Sequence, residues 1–271
     1  MTITVMAIPD WLIKCFHQTV DLWFAAWPQP VPGQARLHGC KIISHRGEHD
    51  NRVVFENTLD AFERVCRAGV WGLEFDVRWT RDLQPVVIHD SDLRRVFQLN
   101  LEVHQLSLQQ LQARCPLIPS LAEVIRRYGG KVHLMMELKA EAYSKPALQR
   151  RVLQEQLSQL TPQADYHFIS LAPSMLDHVD WCPKAACLPI AELNLKTISK
   201  MALKAKFGGI NGHYLLISNA VLQKHLQHNQ QVGTGFVRSR NCLFRELNRG
   251  VEWIYTNHAL RLEQIRKAHL K

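Results

Sequence analysis

Four short stretches of the sequence carry side chains that could do chemistry together: His45-Arg46, Glu74 with Asp76, His89-Asp90, and Glu137 with Lys139. Glu74 and Asp76 stand two apart, as do Glu137 and Lys139, so on β-strands each pair points to one face. If the two faces are shared, three carboxylates converge, and anions brought so close repel one another unless a cation neutralises them. Carboxylates without cysteine or a histidine cage favour a hard ion, Mg2+ or Ca2+, over zinc. His45 and His89 suit a general base and a general acid, since histidine titrates near neutral pH without a large shift. Arg46, through its planar fork, and Lys139, as a point charge, suit phosphate oxygens. Singly, each is an ordinary surface or ion-paired residue. Together they describe metal-assisted chemistry at a phosphate ester, with cations placed to stabilise charge developing on phosphorus.

These groups meet only if the chain folds so that successive strand ends gather at one place. From Cys40 onward, short apolar runs alternate with longer amphipathic stretches, the mark of repeated βα units. Strands are expected at 40–44, 71–77, 132–138, 166–170, 185–190, 207–211, 232–237 and 251–256, with a helix after each, the first over 57–68 and the third over 145–160. Eight such units fit a closed α/β barrel, a (β/α)8 or TIM barrel, better than an open sheet, and the length of 271 residues suits one large barrel. A hairpin is expected after the second strand, with its turn at 80–84 and its return strand at 85–88. In such a barrel the active site forms at the C-terminal ends of the strands. His45-Arg46-Gly47 follows the first strand, Glu74 and Asp76 lie near the end of the second, His89-Asp90 ends the hairpin, and Glu137 and Lys139 end the third.

Residues 43–90, ISHRGEHDNRVVFENTLDAFERVCRAGVWGLEFDVRWTRDLQPVVIHD, closely resemble the signature of the glycerophosphodiester phosphodiesterase family: HRG, ENT, E-x-D, T-x-D-x-x-P-V and HD. Pro119-Ser120-Leu121 and Glu137-Leu138-Lys139 continue the likeness, which weakens toward Arg261 and leaves 1–38 outside. The resemblance implies metal ligation by Glu74, Asp76 and Glu137, acid and base roles for His45 and His89, and phosphate contacts from Arg46 and Lys139. It also implies hydrolysis of a small-molecule glycerophosphodiester to sn-glycerol 3-phosphate and an alcohol. Glu56-Asn57-Thr58 matches the family's ENT; Glu56 or Asn57 is read as opening the first helix, where a short polar side chain satisfies free amides, the alternative being that Glu56 shapes the site.

The sequence departs from the family pattern in three places. Gly235-Phe236-Val237-Arg238 stands where the family often has tryptophan followed by T-V-N, and Thr256-Asn257 where it often has Thr-Asp. Between Asp90 and Pro119 there are 28 residues, 91–118, short for the insertion that often covers the site. A shorter cover leaves room for bulkier substrates, so a lysophospholipase D acting at a membrane surface is the alternative activity. A catalytically silent binding barrel is a third reading, and the intact histidines, carboxylates and lysine argue against it.

The remaining composition narrows the setting. Net charge is +9, which favours anionic partners, but the 33 Lys and Arg are spread along the chain and form no nucleic-acid module. Seven scattered cysteines form no C-x-x-C pair and read as buried thiols of a cytoplasmic protein. Residues 1–38 are expected to form a helical extension and linker ahead of a barrel domain at 39–271. Trp11, Trp23 and Trp27 with Ile13, Phe16, Val20 and Phe24 make an apolar helical face interrupted by Asp10, Lys14 and Asp21, too broken for a membrane span or a signal peptide. That helix is expected to plug the bottom of the barrel, the alternative being peripheral membrane contact with its tryptophans at headgroup level. Pro28, Pro30, Pro32 and Gly33 then form the linker. No pattern specifies an oligomeric state.

Overall fold

Parallel strands covered by helices on one face and by a packed interior on the other must be apolar on both, and these strands are. The computed structural model describes residues 19, 20 and 22–271. It contains β1 (Lys41–His45), β2 (Gly72–Trp79), β3 (Pro85–Val87), β4 (His133–Leu138), β5 (Tyr166–Ser170), β6 (Cys187–Ala191), β7 (Gly209–His213), β8 (Gln231–Gly235) and β9 (Trp253–Thr256). All but β3 are parallel neighbours in the order β1-β9-β8-β7-β6-β5-β4-β2, and β1 pairs with β2 to close the ring. The fold is therefore a (β/α)8 barrel. β3 returns antiparallel along the end of β2, with Val77 opposite Val87 and Trp79 opposite Pro85, as the hairpin pattern required.

Helices between the strands begin where short polar side chains can take up their free amides. Thr58 accepts from the Ala61 amide at the head of Leu59–Ala68, and Ser120 with Glu123 forms a reciprocal capping box on Leu121–Tyr128. The insertion after β3 carries the short helices Arg94–Phe97 and Leu108–Arg114. It has an apolar cluster of its own, built on Val86, Leu93, Val103, Leu111 and Ile118.

Inside the ring, Ile43, Met135, Ile169, Leu188, Trp253 and Tyr255 pack together. At its N-terminal end, Trp71 stacks on His133 with centroids 4.2 Å apart, and His133 Nε2 lies 2.8 Å from His167 Nδ1. The Lys41 ammonium lies over the Trp71 ring, 5.3 Å from its centroid.

The helix that meets this end of the barrel is Gln34–Gly39, in the stretch following the prolines, with Leu37 fully buried. The earlier helix at 22–26 does not plug the bottom. It lies against the outer wall, where Phe24 packs edge-on against Tyr214 at 5.5 Å and Asn241 Nδ2 donates to the Ala25 carbonyl at 2.7 Å. Trp11, Ile13, Phe16, Asp10, Lys14, Asp21 and Cys15 lie outside the described residues. Among the described residues no helix is long and apolar enough to cross a membrane.

Candidate active site

The expected site residues do come together at the C-terminal end of the barrel. Glu74 and Asp76 project from β2 and Glu137 from the neighbouring β4, where Asp76 and Glu137 are direct register partners. One oxygen from each of the three carboxylates lies within 4.8 Å of the others, and all three residues are buried. Burial, reinforced by repulsion from Asp76 and Glu137, holds the Glu74 carboxyl well above the usual carboxylate range, and burial with Asp76 raises that of Glu137. At Asp76 burial acts in the same direction, but Arg46 and Lys139 outweigh it and keep this carboxyl ionised.

Two cations neutralise part of this charge. Lys139 Nζ bridges Glu137 Oε1 at 2.7 Å and Asp76 Oδ1 at 3.2 Å. Arg46 places Nε 3.1 Å from Asp76 Oδ2 and Nη1 3.0 Å from Glu56 Oε1. Its backbone is left-handed, with φ 57°, and its amide donates to the Glu74 carbonyl at 2.9 Å. The adjoining Gly47, at φ +79°, presses so closely on the helix after β1 that an added Cβ would come within 2.7 Å of Ala61 Cβ.

Each histidine is oriented from behind. His45 Nδ1 donates to Asn257 Oδ1 at 2.6 Å, leaving Nε2 as the free nitrogen, 3.9 Å from Glu74 Oε2. His89 Nδ1 donates to the Asp90 carboxylate at 2.6 Å. Burial, followed by the Arg46 cation, pushes His45 down to about 3, so its ring is neutral around pH 7. His89 is also lowered, by burial first, against the opposing pull of Asp76.

Several partners were not read from the sequence. Asn57 does not open the helix: at φ 58° it turns its side chain into the barrel and donates to Asp76 Oδ2 at 2.8 Å, while Thr58 is the cap. Glu56 is not chiefly a helix residue either. It joins Arg46 to Arg95 of the insertion, whose Nη2 lies 2.6 Å from Glu56 Oε1 and whose Nε lies 2.6 Å from Asp90 Oδ2. Asp76, Arg46, Glu56, Arg95, Asp90 and His89 thus form one continuous polar chain. Deeper in the barrel, Asn211 and Tyr255 are buried with polar side-chain atoms that lack a hydrogen-bond partner. Gly233 leaves them room, since a Cβ there would stand 2.2 Å from Asn211 Oδ1. The alternation of β7 puts Asn211 inside, which is the signal that could have found it.

Hard carboxylate oxygens, close together, buried and short of positive charge, form a donor set that fits a divalent cation such as Mg2+ or Ca2+. Beside them stand two histidines with fixed tautomers and two cations, the components of hydrolysis at phosphorus.

Comparison with known proteins points the same way. The glycerophosphoryl diester phosphodiesterase family profile matches residues 45–170, a span containing all seven expected site residues. A glycerophosphodiester phosphodiesterase of Bacillus altitudinis is 27% identical over 251 residues, covering 84% of this chain and 98% of its own. A glycerophosphodiester phosphodiesterase of Thermotoga maritima superposes with a TM-score of 0.68 at 20% identity, over 83% of this chain and 98% of that one. An Oleispira antarctica phosphodiesterase, solved with its product sn-glycerol-3-phosphate, gives 0.69 at 18% identity, over 84% and 96%. At these identities the structural likeness speaks for the shared fold.

Proposed function

Because the chain belongs to the glycerophosphoryl diester phosphodiesterase family, we propose that it is a phosphodiesterase that hydrolyses glycerophosphodiesters to sn-glycerol 3-phosphate and an alcohol. Glu74, Asp76 and Glu137 would hold one divalent cation, Mg2+ or Ca2+. That ion, when bound, supplies Lewis-acid polarisation of the phosphoryl oxygens.

The rest of the reaction falls to the chain's own side chains. His45, whose Nδ1 proton goes to a neutral amide, keeps Nε2 as an acceptor and takes the proton of the attacking hydroxyl, whether from the adjoining glycerol carbon or from water. The new P–O bond forms as the P–O bond to the alcohol breaks; where the glycerol hydroxyl attacks, water then adds to phosphorus and one ring P–O bond breaks, its oxygen taking a proton, to leave sn-glycerol 3-phosphate. His89, whose protonated form Asp76 and Asp90 favour against the burial that lowers it, gives its Nε2 proton in that form to the departing oxygen. Arg46 and Lys139 hold non-bridging phosphate oxygens against the charge that develops there. The observation that carries this reading is that each histidine, beside a buried triad of carboxylates, has its Nδ1 tied to a different kind of acceptor. The thiols fit a cytoplasmic location.

The test is release of glycerol 3-phosphate from glycerophosphocholine with Mg2+, Ca2+ or EDTA. Turnover that requires one of the ions is expected; turnover undiminished by EDTA would remove the cation from the proposal. A second reading, release of lysophosphatidic acid from lysophosphatidylcholine, draws on the short cover at 91–118 and on a His89 side chain that is 30% exposed. Turnover of the lysolipid alone would put it first.

A further inference from the structure

Among the described residues, the most exposed large apolar side chains are Leu193 at 92%, Val53 at 79%, Leu22 at 71%, Trp23 at 65% and Trp27 at 60%. Two of them stand at one end of the barrel. Leu193 stands two residues beyond β6, Val53 lies in the loop after β1, and Phe236, 39% exposed, directly follows β8. Loops that follow parallel barrel strands all emerge at one end, the end that carries the catalytic groups. The Phe236 ring is 4.8 Å from that of His45, so this fringe begins at the mouth itself. The two stacked tryptophans, with centroids 6.1 Å apart, stand outside this fringe, on the outer wall, where they line a recess with Arg245 and Asn248. Their neighbour Phe24 packs on Tyr214, which directly follows β7, and the Ala25 carbonyl is held by Asn241 at the head of the helix after β8.

We infer that the catalytic end of the barrel docks on an anionic lipid bilayer, with Val53, Leu193 and Phe236 entering the headgroup region around the mouth. Charge selects this occupant. The exposed Arg52 adjoins Val53, exposed Lys196 opens the helix beside Leu193, and exposed Arg238 follows Phe236, within a chain of net charge +9. Glu192 is the acidic neighbour of Leu193 and the exposed Asp50, whose carboxylate accepts from the amides of Arg52 and Val53, is that of Val53, so three exposed cations face two carboxylates at this rim. Separate apolar prongs around a polar opening suit a fluid interface, which closes around each one, better than a rigid protein surface, which would need one continuous patch. Cations beside such prongs are drawn to anionic headgroups. This inference deepens the proposed phosphodiesterase reading, since a mouth facing headgroups would draw phosphodiesters from a membrane.

The experiment is co-sedimentation of the full chain with vesicles of phosphatidylcholine alone or mixed with phosphatidylglycerol, for the wild type and for a Val53→Glu, Leu193→Glu double variant. Both side chains stand in solvent, so the fold should be kept, and glycerophosphocholine turnover in solution should be unchanged. The wild type should partition onto anionic vesicles about tenfold more than onto neutral ones, less so at high salt, and the double variant should lose most of that gain. Equal binding by the variant, or no vesicle binding by the wild type, overturns the inference. So does a wild-type dimer that the double variant dissociates without any vesicle effect, which would make this face a contact between two copies. Failure to hydrolyse glycerophosphocholine in every sample would overturn the activity, whatever the vesicles show.

Discussion

Asn257 and Asp90 occupy equivalent places behind the two histidines, and they differ in charge. An amide fixes the tautomer of His45 without favouring its protonated form, whereas a carboxylate does both for His89. Asn257→Ala should therefore lower kcat by about tenfold or more with the fold intact, and Asn257→Asp should restore much of it, as steady-state kinetics alongside circular dichroism would show. His45→Ala and Glu74→Ala should each reduce turnover by about a thousandfold without unfolding the barrel. Retained hydrolysis in either variant would refute the assigned site. The convergence of Glu74, Asp76, Glu137 and Lys139 was legible from strand spacing, and the nearness of His45, Arg46 and His89 from their places at strand ends and in the HRG and HD motifs. Asn57 and Arg95 were not legible as site residues, because each reaches it from a loop or insertion whose path no periodicity describes, whereas Asn257 stood out only as a departure from the family pattern.

Among the elements, the insertion is tied to the chemistry through a side chain of its first helix. Arg95 ties its first helix to Glu56 and Asp90, and through them to Arg46 and His89. Arg95→Ala should lower kcat/KM by about tenfold while leaving most of the stability, since its guanidinium is partly solvent-exposed. Gly233 makes the converse case. A Gly233→Ala methyl would meet Asn211 at 2.2 Å and Tyr255 at 2.6 Å, so the variant should lose about 1–3 kcal/mol in urea unfolding. All eight barrel strands were found in the sequence, because apolar runs between turn residues mark buried strands plainly. Helix ends were less legible. Helix 57–68 starts instead at Leu59 because Asn57 is held left-handed at Asp76, and 145–160 becomes Pro146–Gln156. Gln34–Gly39 was missed because six residues are too few to show a helical period.

For the whole molecule, the barrel's base sets a limit on acid stability. Burial pushes His133 down to about 4 and His167 to about 3, the latter also through its neighbour His133. Both are neutral when folded, while the unfolded chain takes up protons below about pH 6.5. Their contribution is therefore complete above about pH 6.5 and is lost progressively as pH falls toward 4. Tm should fall between pH 7 and pH 5, and His133→Asn should flatten that part of the curve even if it lowers Tm throughout. A profile unchanged by the substitution would place the acid sensitivity elsewhere.

Lys139, the ammonium that bridges Glu137 and Asp76, also bears on how the protein comes into being. A site built from bare carboxylates would leave folding hostage to metal supply, as in small domains that collapse only around their ion. Here the polypeptide brings a counterion in its own sequence, so synthesis and loading are separable events. Protein made and purified in chelator should be folded and inert, and should recover turnover on addition of the ion with little change in its circular dichroism.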